Sequence, residues 1–370
     1  MTFSSLLFII FIAVVGIQIA YYLAFLFSFS IKRSTFGSNK QIPLSVIICA
    51  KNEAQNLTDN LPAILNQDYK NFEIVLVNDS SSDKTLKVMR SFEKKHQNIK
   101  IVDVQSVEAF WGNKKYALTL GIKASKNEFL VFTDADCVPN SKHWLTQISS
   151  KFSNKKSIVL GFGGYAKKRF SFLNKLIRFE TVLTALQYFS YANMGMPYMG
   201  VGRNMAYRKE LFYNNSGFNS HTQLKSGDDD LFINEVATKT NVSICYTEES
   251  FTVSKPKTSF KNWILQKRRH VSTAIYYKPK HKFLLGLFYI SQLLFWALAV
   301  VLFITFFKWQ WVLAFVILRF LTQLLSLGLT AKKLKEFDLI LLAPILEFFL
   351  ILTQLSIFSA NLISKPKHWK

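Results

Sequence analysis

The chain has 370 residues, with 46 Lys and Arg against 23 Asp and Glu, a formal net charge of +23. It is nevertheless 50% hydrophobic and contains 35 Phe. That combination excludes a disordered chain, which lacks apolar and aromatic residues, and argues that apolar and charged residues are segregated along the sequence.

The first segment is apolar. Thr2 to Ile31 holds no charged residue, and Leu6 to Phe29 is nearly continuous Leu, Ile, Phe, Val, Ala and Tyr. That length crosses about 30 Å of hydrocarbon at about 1.5 Å per residue. No basic n-region precedes the run and no A-x-A-like site follows it, so it reads as a retained membrane anchor rather than a cleaved signal peptide. Lys32 and Arg33 stand just past its end.

The middle segment, 32–282, carries 38 of the 46 basic and 20 of the 23 acidic side chains. It alternates strand and helix. Leu44–Ala50 is a short β-branched run fit for a buried parallel strand. A helix follows from Glu53 to Asn66, then a strand over Glu73–Asp79, a helix from near Asp83, a strand over Ile99–Val104, a helix over Asn113–Ala124 and a strand over Glu128–Asp134. This alternation predicts a doubly wound α/β sheet, in which ligands sit beyond the carboxyl ends of the strands. Glu53, Asp79, Asp83, Asp134 and Asp136 collect at those ends. The first strand is followed by Ala50-Lys-Asn-Glu-Ala54 without a glycine, and no GxxxxGK[ST] occurs. Neither a Rossmann dehydrogenase nor a P-loop enzyme is supported. Gly161-Phe-Gly-Gly164 lacks the spacing of a phosphate loop.

Asp134-Ala-Asp136 carries the most chemistry. Carboxylates at i and i+2 of an extended segment point the same way. Mg²⁺ or Mn²⁺, shared with phosphate oxygens of a substrate, relieves their repulsion; the plain alternative is a pair of solvated loop acids. Asp228, Asp229 and Asp230 are a second acidic group, readable as first-turn acids of a helix or as a catalytic cluster with raised pKa values. Cys49, Cys137 and Cys245 show no CxxC spacing and read as buried free thiols.

Phe170–Tyr191 has helical apolar spacing, fit for a core helix or one lying against a membrane. Residues 259–280 mix Phe260, Trp263, Tyr276 and Tyr277 with Lys261, Lys267, Arg268 and Arg269, the pattern of an interfacial amphipathic helix. The last part is again apolar. Phe283–Phe307 has no charge, Trp309–Leu329 only Arg319, and Leu339–Ile363 only Glu347. Lys332, Lys333 and Lys335 place the preceding domain on the cytoplasmic side by the positive-inside rule. A third crossing by 339–363 would put the basic tail Lys365–Lys370 outside, against that rule; Pro344 and Glu347 also admit a re-entrant or interfacial course.

Several motifs, in order, resemble those of the family 2 glycosyltransferases. Pro43–Glu53 is similar to the family's opening strand and nucleotide-contacting acid, and Val77-Asn-Asp-Ser-Ser-Ser-Asp83 to its second acidic loop. Trp111-Gly-Asn-Lys-Lys-Tyr-Ala-Leu118 resembles its lysine-bearing loop. Phe132-Thr-Asp-Ala-Asp136 resembles its metal-binding DxD, Tyr198–Tyr207 its strand before the catalytic acid, Ser226–Leu231 its E-D motif and Gln266-Lys-Arg-Arg-His270 its QxxRW motif. Two departures stand out: His270 replaces the tryptophan, and the E-D motif reads Gly227-Asp228 or Asp228-Asp229.

The resemblance implies a GT-A fold, an α/β Rossmann-like nucleotide-diphospho-sugar transferase domain over 32–282, between a transmembrane helix (1–31) and a membrane region (283–370) of two or three helices. It implies a membrane-bound inverting enzyme using a UDP- or GDP-sugar donor, a lipid or glycan acceptor, and Mg²⁺ or Mn²⁺ on Asp134 and Asp136. Donor-binding roles fall to Glu53, Asp79, Lys114, Asp134, Gln266, Arg268 and Arg269, and the general base is Asp228 or Asp229. The expected location is the cytoplasmic membrane, multi-pass, among membrane lipids. A nucleotidyltransferase-like enzyme of the same fold and a membrane-tethered module binding anionic lipid are the alternatives. Scattered lysines and the absence of a stacking motif argue against nucleic acid.

Overall fold

The computed structural model describes residues 2–31, 41–105, 114–224 and 226–364. Lys32 and Arg33, residues Trp111–Asn113 of the lysine-bearing motif, and the tail Lys365–Lys370 lie outside the described residues.

Helix α1 (Phe3–Phe25) runs on to Ser30 through a wider π turn. The domain then alternates β1 (Leu44–Ala50), α2 (Ala54–Leu65), β2 (Phe72–Asp79), α3 (Thr85–Glu93), β3 (Ile99–Val104), α4 (Lys114–Ala124) and β4 (Phe129–Phe132). Next come β5 (Cys137–Pro139), α5 (Trp144–Ser149), β6 (Ile158–Gly161), β7 (Gly163–Tyr165), α6 (Phe172–Asn193) and β8 (Met205–Arg208). They are followed by α7 (Lys209–Asn214), α8 (Asp230–Val236), β9 (Val242–Cys245), β10 (Thr252–Ser254) and α9 (Phe260–Val271). Three long helices end the chain: α10 (Pro279–Ile304), α11 (Trp309–Lys333) and α12 (Ala343–Ile363).

Seven strands form one sheet in the order β3-β2-β1-β4-β8-β6-β9. β1 pairs in parallel with β2 and β4, and β2 with β3, while β8 is antiparallel to both neighbours. The expected α/β sheet is therefore present, and β1 and β3 have the expected bounds. Three expectations are corrected. The fourth strand stops at Phe132, so the DxD lies on a turn beyond the strand and not within it. Of Tyr198–Tyr207, only the part from Met205 is strand. The amphipathic helix is shorter than 259–280: α9 ends at Val271, and a single 3₁₀ turn at Ala274–Tyr276 precedes α10.

One face of the sheet packs on α2, α3 and α5 through residues such as Leu61, Met89 and Trp144. The other packs on α4, α6 and α8, and that core does not stop at the domain's edge. Phe189 and Tyr191 of α6 meet Phe29 and Phe25, at the domain end of the first apolar helix, with centroids 5.0 and 6.1 Å apart. Leu327 and Ala331 of α11 join the same cluster. α6 is thus a core helix wedged between the sheet and the apolar helices, which reconciles both readings of its sequence.

Four helical stretches are long and apolar enough to cross a membrane: Phe3–Ser30, Pro279–Ile304, Trp309–Lys333 and Phe337–Ile363. A polar knot joins all four. The fully buried Arg319 guanidinium donates to both oxygens of Glu347, at 2.7 and 2.6 Å. It also donates to Gln18 Oε1 at 3.0 Å, while Gln292 donates to Glu347 Oε1 at 2.7 Å. Charged groups removed from water need such mutual satisfaction.

The last segment is fastened to the domain at both ends. Before it, Arg178 of α6 binds Glu336 and Asp338, and Lys167 reaches Asp338 at 2.7 Å. At its far end, Arg268 of α9 donates to Asn361 Oδ1 at 2.9 Å and to the Ala360 carbonyl at 3.0 Å.

Glu347→Leu leaves Arg319 buried without its counter-ion and is expected to cost about 3–5 kcal/mol. Thermal unfolding of the detergent-solubilised chain checks this, and the Arg319→Leu/Glu347→Leu pair should recover most of the loss.

Candidate active site

The site is built at the carboxyl ends of β1, β2 and β4 and at the start of α8. These ends open into a cavity of about 400 Å³. Glu53, Asp79, Lys114, Asp134, Asp136, Asp228, Asp229, Gln266 and Arg269 all line it, and so does His270. The structure thus brings together nine of the ten expected site residues. Arg268 is the exception. One residue away on α9 it points to the opposite side, where it binds the end of α12. Successive helix positions diverge by about 100°, which turns Arg268 away from the cavity that Arg269 lines.

Lys114 sits at the centre. Its ammonium is 3.0 Å from Asp134 Oδ1 and 2.9 Å from Asp228 Oδ2, so one cation joins the DxD turn to the loop before α8. Burial works to lower the lysine's pKa, but Asp134 and Asp228 overcome it and hold the group well above its ordinary value. For Asp228, burial favours the neutral acid, and Lys114 more than reverses this, leaving the carboxyl below its usual range.

The three consecutive aspartates have three different surroundings. Asp228 pairs with Lys114. Asp229 caps α8, accepting from the Asp230 and Gly202 amides, each at 2.8 Å. Burial, then the charges of Asp228 and Asp230, push its pKa up to about 7. Asp230 turns to the chain after α9, where Tyr277 and Thr273 donate to its Oδ2 at 2.7 and 2.5 Å; burial raises its pKa. Repulsion among the three is limited because each meets a different partner. Gly227 before them takes φ +105°, and a Cβ there would lie 2.6 Å from Leu231. That geometry explains a glycine where the family motif has glutamate. Gly202 packs against Asp229, where a Cβ would lie 3.2 Å from its Oδ2, so this small residue makes room for the aspartate.

On the DxD turn, one ligand atom each of Asp134, Asp136 and Cys137 lies within 4.8 Å of the others. Burial, then the neighbouring Asp134, raises the Asp136 pKa. The Cys137 thiol is raised by burial, stays protonated, and lies 3.0 Å from Ser254 Oγ. Cys49 is half-buried and Cys245 buried, and all three are free thiols. Asp79 is buried at the end of β2, with its Oδ2 unpartnered among the described residues, and burial raises its pKa. Gln266 likewise has a buried Oε1 with no partner there. Glu53 accepts from Asn56 Nδ2 at 2.5 Å at the start of α2.

Residues 45–215 match the family model described as glycosyl transferase family 2. The match takes in just under half of the chain, and that segment is similar to the family's glycosyltransferase domain.

A 95-residue stretch is 34% identical to the poly-beta-1,6-N-acetyl-D-glucosamine synthase of Staphylococcus epidermidis, covering 26% of this chain and 22% of that one. A 171-residue stretch is 29% identical to glycosyltransferase AglE of Haloferax volcanii, covering 46% of this chain and 51% of that one. The matched part therefore spans about half or less of these curated relatives. The mannosyltransferase PcManGT from Pyrobaculum calidifontis, solved in complex with GDP-Man and Mn²⁺, shares the fold. Its TM-score is 0.59 at 17% identity, over 94% of this chain and 99% of that one.

Sequence reasoning missed Arg203, Glu180, Thr181, Thr184 and Gln354 in this cavity. Arg203 follows β6 and β7 in sequence and reaches back over the Tyr165 ring at 4.2 Å. Arg203 lies within the Tyr198–Tyr207 motif but had no role assigned there, and the others lie in no spaced motif; an amide in an apolar helix, as Gln354 is, was the available signal.

Lys114→Met removes the cation from a buried carboxylate and is expected to destabilise the fold by about 3–5 kcal/mol near neutral pH. Asp228 has a depressed pKa, so its stabilising pairing is present above the unfolded pKa and is lost as pH falls through the folded one. The gap between variant and parent, measured by thermal unfolding, should therefore shrink on acidification.

Proposed function

We propose that this protein is a membrane-bound inverting glycosyltransferase that moves a sugar from a nucleotide-sugar donor to a hydroxyl of a lipid, lipid-linked or polysaccharide acceptor. One observation carries the reading: Lys114 joins the DxD turn to the aspartates before α8, 3.0 Å from Asp134 and 2.9 Å from Asp228, within one cavity. A phosphate site and a proton-accepting site are thereby set side by side.

Asp134 and Asp136 suit a divalent cation. Their oxygens converge, the adjacent thiol is protonated, and Asp136 lies where burial disfavours an uncompensated charge. Two hard carboxylate oxygens plus diphosphate oxygens match Mg²⁺ or Mn²⁺. When bound, the ion supplies Lewis-acid stabilisation to the departing diphosphate. Arg269 and Lys114 add charge-assisted hydrogen bonds to the same group. Asp79 and Glu53 line the nucleotide end, where the open Asp79 oxygen suits an N–H or O–H of the nucleoside, and Gln266 offers its amide to the donor.

The acceptor oxygen attacks the anomeric carbon as the bond from that carbon to the diphosphate oxygen breaks. The hydroxyl proton passes to the Asp228–Asp229 pair, with Asp228 in the register of the family's base. Direct attack from the face opposite the leaving group inverts the anomeric centre, and the nucleoside diphosphate departs. Residues 1–31 form the anchor, 32–282 the cytoplasmic domain and 283–370 the membrane region. Lys332, Lys333 and Lys335 support that orientation in the cytoplasmic membrane.

Release of UDP or GDP from a panel of nucleotide sugars, with Mg²⁺ or Mn²⁺ and membrane lipids, tests the proposal. Asp228→Asn should lower kcat by about 10²–10⁴-fold. Absence of turnover across the panel, or full turnover by the Asp228→Asn/Asp229→Asn variant, would overturn the reading. Titration calorimetry with Mn²⁺ and nucleoside diphosphate should show binding by the parent chain and none by Asp134→Asn/Asp136→Asn.

The aspartate pair also fixes a pH dependence. Asp229 is raised to about 7, and its protonation removes one of the pair's two charges and weakens the pair as a proton acceptor. kcat/KM should therefore fall as pH drops below about 7, and Asp229→Asn should move that limb to lower pH, as read from the pH–rate profile.

A further inference from the structure

The cavity extends beyond the carboxylates to a wall that the donor chemistry leaves unused. Glu180, Thr181 and Thr184 of α6, Lys267 of α9 and Gln354 of α12 line it there. α12 is apolar, yet both ends of its segment are tied to the domain, through Arg178 to Glu336 and through Arg268 to Asn361. A segment fastened at both ends to one globular domain keeps both its ends at that domain, while Glu347 between them meets Arg319 of α11. Its two faces differ. Glu347, Leu350, Ile351 and Ile357 are buried against the protein, while Phe348, Phe349, Leu352, Leu355 and Phe358 are exposed.

Gln354 lies on the inward stripe, at i+3 and i+4 from Ile351 and Leu350, and reaches the cavity. Neither the Gln354 nor the Thr184 side chain makes a hydrogen bond with any described residue. An amide on an apolar helix, aimed into a cavity without a protein partner, calls for a polar ligand. The wall is also electrically balanced: Lys267 is closed onto Glu180 at 2.6 Å. Of the other cations on the cavity, Lys51, Arg203 and Arg269 interact electrostatically with Asp79, Asp136 and Asp228, and Lys257 lines it as well. Around the closed Lys267–Glu180 pair the wall offers hydroxyls and an amide, the partners of a hydroxyl-bearing headgroup.

We propose that this half of the cavity is the acceptor subsite, that it takes the headgroup of a neutral, hydroxyl-bearing membrane lipid entering sideways past α12, and that Gln354 determines this specificity. The inference rests on the glycosyl-transfer reading. The lipid hydroxyl reaches the Asp228–Asp229 pair from the bilayer side while its acyl chains remain against the exposed face of α12.

The test uses the full chain in phosphatidylcholine vesicles doped separately with dioleoylglycerol, a monoglucosyl diglyceride or undecaprenyl phosphate, with a soluble oligosaccharide as a fourth arm. Lipid products are read by mass spectrometry, and nucleoside diphosphate release is read separately. We expect glycosylation of a neutral lipid. Gln354→Leu should raise the lipid KM about fivefold without moving the donor KM, and Thr184→Val should act in the same direction. Transfer only to undecaprenyl phosphate or to the oligosaccharide, or an unchanged lipid KM in both variants, overturns the inference. Nucleotide release in every arm without a glycosylated neutral lipid overturns it alone. No donor binding and no release in any arm overturns the glycosyl-transfer reading, and this inference with it.

Discussion

A group of carboxylates withdrawn from water is stable only in the company of cations, and in this protein the resident cation is Lys114. Its ammonium lies within 3.0 Å of both Asp134 and Asp228, and through it the DxD turn and the loop before α8 become one site. Without that bridge the two acidic motifs, nearly 100 residues apart in the chain, would repel one another. The net charge of +23 hides this acidic centre; the basic excess surrounds it and supplies the groups that neutralise it.

The second constraint is mechanical. The sheet's core continues through α6 into the apolar helices, so the sheet and these helices share one packed interior. Asp230 carries this coupling to the site, since Thr273 and Tyr277, just before α10, hold it. Asn234 of α8 likewise donates to the Tyr198 carbonyl at 2.7 Å and accepts from the Lys278 amide at 3.0 Å. The helix that positions the aspartates is thereby clamped to the start of a membrane-region helix. Buried polar contacts of this kind fix geometry more than they add stability.

Arg319 and Glu347 show the same logic inside the apolar layer. Each alone breaks an apolar run; together they join four helices, with Gln18 and Gln292 adding hydrogen bonds to the pair. The pair also brings the last helix, at one end, against the bundle, while Arg268 binds its other end to the domain.

Much of this was legible in the sequence. Period and composition gave β1 and β3 to the residue: β1 is a nearly uninterrupted apolar run, and β3 is rich in Ile and Val although Lys100 and Asp103 interrupt it. The ordered acidic motifs located the site, because ligands of α/β sheets gather at strand carboxyl ends. Four apolar stretches announced themselves by length alone. What the sequence could not supply was direction. Arg268 and Arg269 are equal as letters, but helical geometry sends one to α12 and the other into the cavity. Three successive aspartates read alike, yet only their neighbours in space make one ionised, one titrating near 7 and one bound to Tyr277. Gln354 lies in no motif and joins the cavity only because the last helix folds back onto the domain. Local patterns determine which elements form; long-range packing, which the chain encodes only collectively, decides which side chains share a site.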